Sequence, residues 1–237
     1  DNSSINDNKN DGEEEQEQIA IVGDLMRSIA LVRYYPKSQA LEEVARDFNA
    51  NWTTAMEMLT PDVYIGAENW NNFFILKRNK NATTEEARCR LDTTGEYHFG
   101  EMCNKFVKGT LVMPHDHQNK SNVVIGSQTL FCTVDGSIGS ILGLDAPTAS
   151  FFSSLERAMA RVVVPVGQFG QSEYRAFFAQ PRIHPSHGFI DGDFVESFLD
   201  LPTEIKDLVV QEMNRESDER MQRRDVLSMV DEMVMLH

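Results

Sequence analysis

The stretch "GFIDGDFVESFLDL", residues 188–201, sets Asp191, Asp193, Glu196 and Asp200 within ten residues. Such a cluster is either a metal or catalytic site or the start of a helix, and the choice decides how the carboxy-terminal third is read. Glu196 follows Asp193 by three residues, among the apolar residues Val195, Phe198 and Leu199. That is the pattern of a capping box, in which an N-cap side chain accepts from orphan N–H groups and the later Glu reaches back. Asp193 is the predicted N-cap, with Gly192 letting the chain turn sharply into it. A calcium loop needs several more oxygens at fixed spacing and a distal bidentate Glu, which "DGD" does not supply. The cluster is read as a helix start, with no metal.

The surrounding sequence agrees with a helical region over residues 145–237. Phe151, Phe152, Leu155, Met159, Val162 and Val163 recur at helical spacing. A second helical stretch is expected after Ser172, carrying Tyr174, Phe177 and Phe178, and a third near Phe194. Ile205, Leu208, Val209 and Met213 mark a fourth. The last sets Val226, Val230 and Met233 on one face, flanked by Leu227 and Val234.

Upstream, residues 18–144 have a different texture. "IAIVG", "LMRSIALVRYY", "LEEVARDF", "TAMEML", "VYIGAE", "NFFILKR", "KGTLV" and "SQTLFCTV" read as strands between turn residues such as Pro36, Asn49, Pro61 and Gly136. One short helix interrupts them in "ATTEEARCRL", residues 82–91. Thr83 or Thr84 caps it, and Glu85 and Glu86 complement its dipole. The fold class expected is mainly β, as propeller blades, followed by a segregated helical domain. Residues 1–17 hold seven acids, one Lys and a single apolar residue, Ile5, and are expected to be disordered, as a linker, an insertion or an acidic tail.

Net charge is −15 over 237 residues, so the chain repels phosphate backbones and is not expected to bind DNA or RNA by itself. No apolar run approaches the roughly 20 residues of a membrane span. Cys89, Cys103 and Cys132 share no CxxC spacing and read as free thiols of a reducing compartment, the nucleus or cytosol. The chain opens without Met and without a signal-type segment, as a piece of something longer would.

Candidates for chemistry are few. His115 and His117 sit in "MPHDHQNKS" without Cys or Glu at ligand spacing, and His184 and His187 flank Pro185 in a loop. No GxSxG, HExxH, P-loop or GxGxxG occurs. Met229, Met233 and Met235 are helix-face residues on this spacing. The sequence is therefore read as a non-enzyme without cofactors.

"VGDLMRSIALVRY", "EEVARDFNANWTTAMEML", "GAENWNNFF", "ATTEEARCRL" and "GFIDGDFVESFLDL", ending in "MVDEMVMLH", closely resemble the carboxy-terminal fifth of the damaged-DNA-binding protein 1 family. "IDGD" alone is also similar to triple-propeller subunits of splicing and polyadenylation machinery, the alternative reading. The resemblance implies three seven-bladed propellers, a helical carboxy-terminal domain and a nuclear and cytoplasmic adaptor role in cullin-4 ubiquitin ligases. It further implies that the second propeller holds cullin-4 and a cleft between the first and third holds WD40-type substrate receptors. Damaged DNA is then met only through a receptor. At roughly 40–45 residues per blade, residues 18–144 make about three blades, too few for a closed ring. The chain is therefore expected to be part of the third propeller with the helical domain, or a truncated gene model.

The matching motifs carry over Arg27, Trp52, Asn69, Asn104 and Val134 as receptor-facing residues. Trp52 also suits blade packing and Val134 strand core. Met102 and Lys105 stand where the family typically shows Phe and Val, and Lys105 adds charge to an apolar contact.

Overall fold

The computed structural model describes residues 18–112, 123, 125–179, 182–216 and 220–236. The acidic segment 1–17 and the His115/His117 loop lie outside these residues. Three antiparallel meanders occupy the first part of the chain. The first orders β1 (Gln18–Asp24), β2 (Ser28–Tyr35) and β3 (Ala40–Arg46) side by side. The second has four strands: β4 (Thr53–Thr60), β5 (Val63–Glu68), β6 (Asn72–Arg78) and β7 (Leu91–His98). The short helix α1 (Glu85–Arg88) interrupts the β6–β7 connection, capped by Thr84, which accepts from Ala87 N–H at 3.3 Å. The third sheet holds β8 (Cys103–Lys108), β9 (Ile125–Thr133) and β10 (Ile138–Leu144).

The second sheet is buried on both faces, which explains the near-continuous apolar runs of β5 and β6. Because side chains alternate along a strand, β5 and β6 feed two cores. Tyr64, Phe74 and Leu76 pack with Ile29, Leu31, Ala45 and Leu91 against the first sheet. Ile65, Ala67 and Phe73 pack with Tyr97, Cys103, Phe106 and Phe131 against the third. Within the second cluster Phe73 stacks on Phe99 at 5.0 Å and meets Phe106 and Phe131 edge-on. Strand β4 touches β1 on one side and β8 on the other. Sheets stacked face to face in sequence order are consistent with propeller blades.

Register in the blades is locked by the same pair twice. Gly66 is opposite Phe74 and Gly139 opposite Phe131. A Cβ on Gly66 would come within 2.2 Å of the Phe74 ring, and one on Gly139 within 2.3 Å of Phe131. Each ring lies over the bare backbone of its partner. Gly66→Ala should therefore cost about 1–2 kcal/mol by overpacking, read as a lower denaturation midpoint at unchanged m-value. An equally stable variant would show that the ring is free to move.

Helices α2 (Ala146–Val162), α4 (Gly192–Glu196), α5 (Thr203–Glu216) and α6 (Arg223–Val234) build the third core. Phe152, Leu155 and Met159 of α2 meet Val195, Phe198, Val209, Met213, Val226 and Val230 there. The apolar faces expected from periodicity pack into this core, except that Leu208 of α5 is exposed and Met235 lies exposed just past α6. Asp145 caps α2 by accepting from Thr148 N–H at 3.1 Å.

Several sequence expectations are corrected. "LMRSIALVRYY" is not one strand: the turn at residues 25–27 breaks it, anchored by Asp24 Oδ1, which accepts from Met26 N–H at 2.7 Å and Arg27 N–H at 2.9 Å. "KGTLV" contributes only the end of β8. Strands β7 and β10 were not expected. After Ser172 the helix α3 (Gln171–Tyr174) lasts one turn, and Phe177 and Phe178 belong to a hairpin of β11 (Phe177–Ala179) and β12 (Arg182–His184). Phe177 is buried and Phe178 points outward, the alternation of a strand. Asp193 is not the N-cap of α4. Asp191 is, accepting from Phe194 N–H at 3.2 Å, while Asp193 lies exposed in the first turn.

The helical part is fastened to the free edge of β7. Glu96 and His187 exchange both backbone hydrogen bonds at 2.9 Å. Gly188 follows with φ +70°, and a Cβ there would sit 2.4 Å from the Thr94 carbonyl oxygen. Only glycine allows that approach. Phe189 then packs on Tyr97, ring centres 5.3 Å apart.

Candidate partner-binding site

The five residues carried over from the family motifs lie in five separate chain segments, and backbone and side-chain hydrogen bonds connect those segments along one rim. Arg27 is exposed in the β1–β2 turn. The next residue, Ser28, donates its N–H to the Asn51 carbonyl at 3.2 Å. Trp52 follows Asn51 and is 52% exposed, and its carbonyl accepts from Asn69 N–H at 3.1 Å. Two residues further on, Thr54 Oγ1 donates to the Cys103 carbonyl at 2.6 Å, which brings the start of β8 alongside. Asn104 sits at a bulge where Cys103 pairs with Thr133 and Lys105 with Cys132. Such a bulge re-aims the side chain of the extra residue. Val134, 60% exposed, donates its N–H to the Met102 carbonyl at 2.9 Å. Val134 is thus a turn residue and not strand core.

The rim is apolar where it meets water. Leu25 and Met26 beside Arg27 are 61% and 79% exposed, and Met102 and Trp70 also face solvent. Sequence reading missed Leu25, Met26 and Trp70; apolar residues inside a turn were the available signal. Lys105 is exposed on β8 and gives this apolar rim a cation.

Beneath the rim lies a buried polar layer. Asp47 accepts from Ser28 Oγ at 2.7 Å, from Asn51 Nδ2 at 3.3 Å, and through its other oxygen from Asn49. Burial pushes the Asp47 carboxyl above its usual range, against these bonds. Glu68 is raised by burial in the same way, and Asn72 donates to it. Asn72 also bonds Phe178 O at 2.7 Å and the His98 ring at 2.8 Å, tying the hairpin to the blade. Glu96 pairs with Arg182 and His184, each at 3.3 Å.

A second cluster surrounds Asp191. Asp191 accepts from Arg175 Nε at 2.6 Å and from Gln171, while its N–H donates to Glu156 at 2.9 Å. Arg175 also donates to the His98 and Phe99 carbonyls and lies 4.9 Å over the Tyr97 ring. These bonds join α2, α3, α4 and β7. Among the described residues no group of three or more His, Cys, Asp or Glu converges on a cation position. No helix of the described residues is long and apolar enough to cross a membrane.

Burial raises the Glu156 carboxyl, and the neighbouring Asp191 charge adds to this while Arg175 and Arg157 oppose it. A carboxyl raised on folding contributes stability while protonated and loses it as pH rises from the ordinary value of 4.5 through the folded one. Glu156→Gln keeps an acceptor for Asp191 N–H and removes the titration. The variant should melt no lower than wild type at pH 7 and show a flatter decline above about pH 4.5. A steeper decline in the variant would refute this assignment.

Antiparallel sheets stacked in sequence order, with an exposed apolar rim above a bonded polar layer, are consistent with propeller blades. The chain belongs to the family of the CPSF A subunit region, which matches residues 13–200. It is similar to DNA damage-binding protein 1a of Arabidopsis thaliana, 39% identical over 219 residues, covering 92% of this chain and 19% of that protein. DNA damage-binding protein 1b of the same plant is 41% identical over 180 residues, 76% of this chain and 16% of the relative. DNA damage-binding protein 1 of Oryza sativa subsp. japonica is 38% identical over 219 residues, again 92% and 19%. The likeness to damaged-DNA-binding protein 1 read from the motifs is thus borne out. The chain spans about a fifth of the length of these curated relatives.

Proposed function

We propose that this chain supplies the receptor-facing blades and the carboxy-terminal helical domain of a cullin-4 ubiquitin ligase adaptor acting in the DNA damage response. The observation that carries the reading is the single rim joining Arg27, Trp52, Asn69, Asn104 and Val134 through backbone hydrogen bonds. The exposed Leu25, Met26, Trp52 and Met102 make that rim suitable for an apolar receptor segment, since interface cores favour aromatic, Met and Arg side chains. On this reading the partners are WD40-type receptors at the rim, with cullin-4 held by a propeller outside this chain. Damaged DNA is reached through a receptor, in the nucleus and cytoplasm. The residues need no cofactor for such a role.

The match to the CPSF A subunit region favours a second reading, a subunit of RNA splicing or cleavage and polyadenylation machinery on the same architecture. Affinity purification of the full-length protein separates the two. Recovery of cullin-4 with WD40 receptors supports the first reading. Recovery of spliceosomal or polyadenylation subunits without cullin-4 overturns it.

A further inference from the structure

One member of the polar layer under the rim comes from far along the chain. Arg182 on β12 donates from Nη2 to Asn51 Oδ1 at 2.6 Å and from Nη1 to Glu96 Oε1 at 3.3 Å. Its guanidinium also covers the Phe177 ring at 5.1 Å. Asn51 is 3% exposed and holds the rim at two points. Its carbonyl takes the N–H of Ser28, next to Arg27, and its peptide leads directly into Trp52. Through Asn51 the far hairpin therefore touches the backbone that presents both anchors.

We propose that Arg182 is a positioning residue for partner binding, fixing Arg27 and Trp52 through Asn51 from the β11–β12 hairpin. The proposal rests on reading the rim as a partner-binding face. The chemistry calls for arginine. A planar fork sends two donors in different directions, one to the Asn51 amide oxygen and one to the Glu96 carboxylate, whereas an ammonium is a compact point charge on a flexible stem. Lysine would keep the charge opposite the buried carboxylates and give up the second direction. A rim held in its bound shape avoids an ordering cost when a partner docks. Displacement of the hairpin would therefore be felt at Trp52, across a separation of 130 residues in sequence.

The test uses Arg182→Lys in the full-length protein labelled with fluorotryptophan, the Trp52 fluorine resonance being assigned by its loss in Trp52→Phe. The variant should melt close to wild type, yet its Trp52 resonance should shift or broaden. Amides of Ser28 and Asn69, whose acceptors are the Asn51 and Trp52 carbonyls, should exchange faster. Those of Glu96 and His187, which bond each other, should stay protected. Capture of a WD40-type receptor that co-purifies with the wild-type protein should weaken about tenfold, the cost of re-ordering one or two rim side chains on docking. Wild-type capture by Arg182→Lys, an unchanged Trp52 resonance, or equal acceleration at all four amides overturns the proposal. Trp52→Ala serves as the separate control on the rim itself. Unchanged capture in that variant defeats the rim reading, while the Trp52 resonance and the Ser28 and Asn69 amides continue to report on the Arg182 contact.

Discussion

Asp191→Ala should destabilise the protein by about 3–5 kcal/mol, the cost of breaking a buried ion pair from one side. The side chains of Arg175 and Asp191 are only 12% and 4% exposed. Removing the carboxylate leaves the guanidinium facing Tyr97 and the His98 and Phe99 carbonyls without its counter-ion. The same change removes the N-cap acceptor of Phe194 N–H, which alone costs about 1 kcal/mol. Asp193→Ala, two residues away, should cost less than about 1 kcal/mol, because an exposed first-turn carboxylate contributes only through the helix dipole. Thermal and denaturant melts of the two variants give the comparison. A larger loss for Asp193→Ala would reverse the assignment of the cap. Changing Asp191 and Arg175 together to apolar residues should recover part of the loss, since a large share of it is the orphaned charge.

That contrast also shows where sequence reading stops. "IDGD" offers two aspartates, each followed three residues later by a possible partner, and local pattern favoured Asp193 because Glu196 completes a capping box. Arg175, Gln171 and Glu156 decide for Asp191, and all three arrive through tertiary contact. The apolar faces of α2, α5 and α6 were legible because burial imposes a period of 3.6 residues on them. The Thr84 cap was legible because its bonds are local. Strand β7, "LDTTGEYH", was not, since after the buried Leu91 it continues with polar Asp92, Thr93 and Thr94 and lacks the apolar alternation of a strand. Phe177 and Phe178 read as helix because β11 is three residues long, too short to reveal a period. The rim was legible only through family resemblance. Its residues come from four turns or loops and strand β8, and nothing local announces that Asn51 binds one turn while Trp52 binds another. Arg182 carries no motif, so its role emerges only from the fold.

Trp52→Ala and Arg27→Ala should each weaken receptor capture by roughly thirtyfold or more, the effect of truncating an interface hot spot worth about 2 kcal/mol. Trp offers a large amphipathic surface and Arg a planar donor fork, the side chains most often found at such positions. The opposing account, in which Trp52 packs inside a blade, predicts a loss of stability of roughly 3–5 kcal/mol instead. The geometry argues against it: Trp52 is 52% exposed and belongs to none of the three core clusters. Its carbonyl, which holds Asn69, survives truncation to alanine. Arg27 is likewise exposed, and its bond to Asp24 is made by its backbone N–H, so Arg27→Ala should stay within about 0.5 kcal/mol of wild type. Capture of cullin-4 by the same samples serves as the folding control, because on the proposed architecture its propeller lies outside this segment. Loss of receptor with cullin-4 capture and melting retained is the expected result. Loss of all three together returns Trp52 to the interior, and retention of receptor by both folded variants removes these residues from the site.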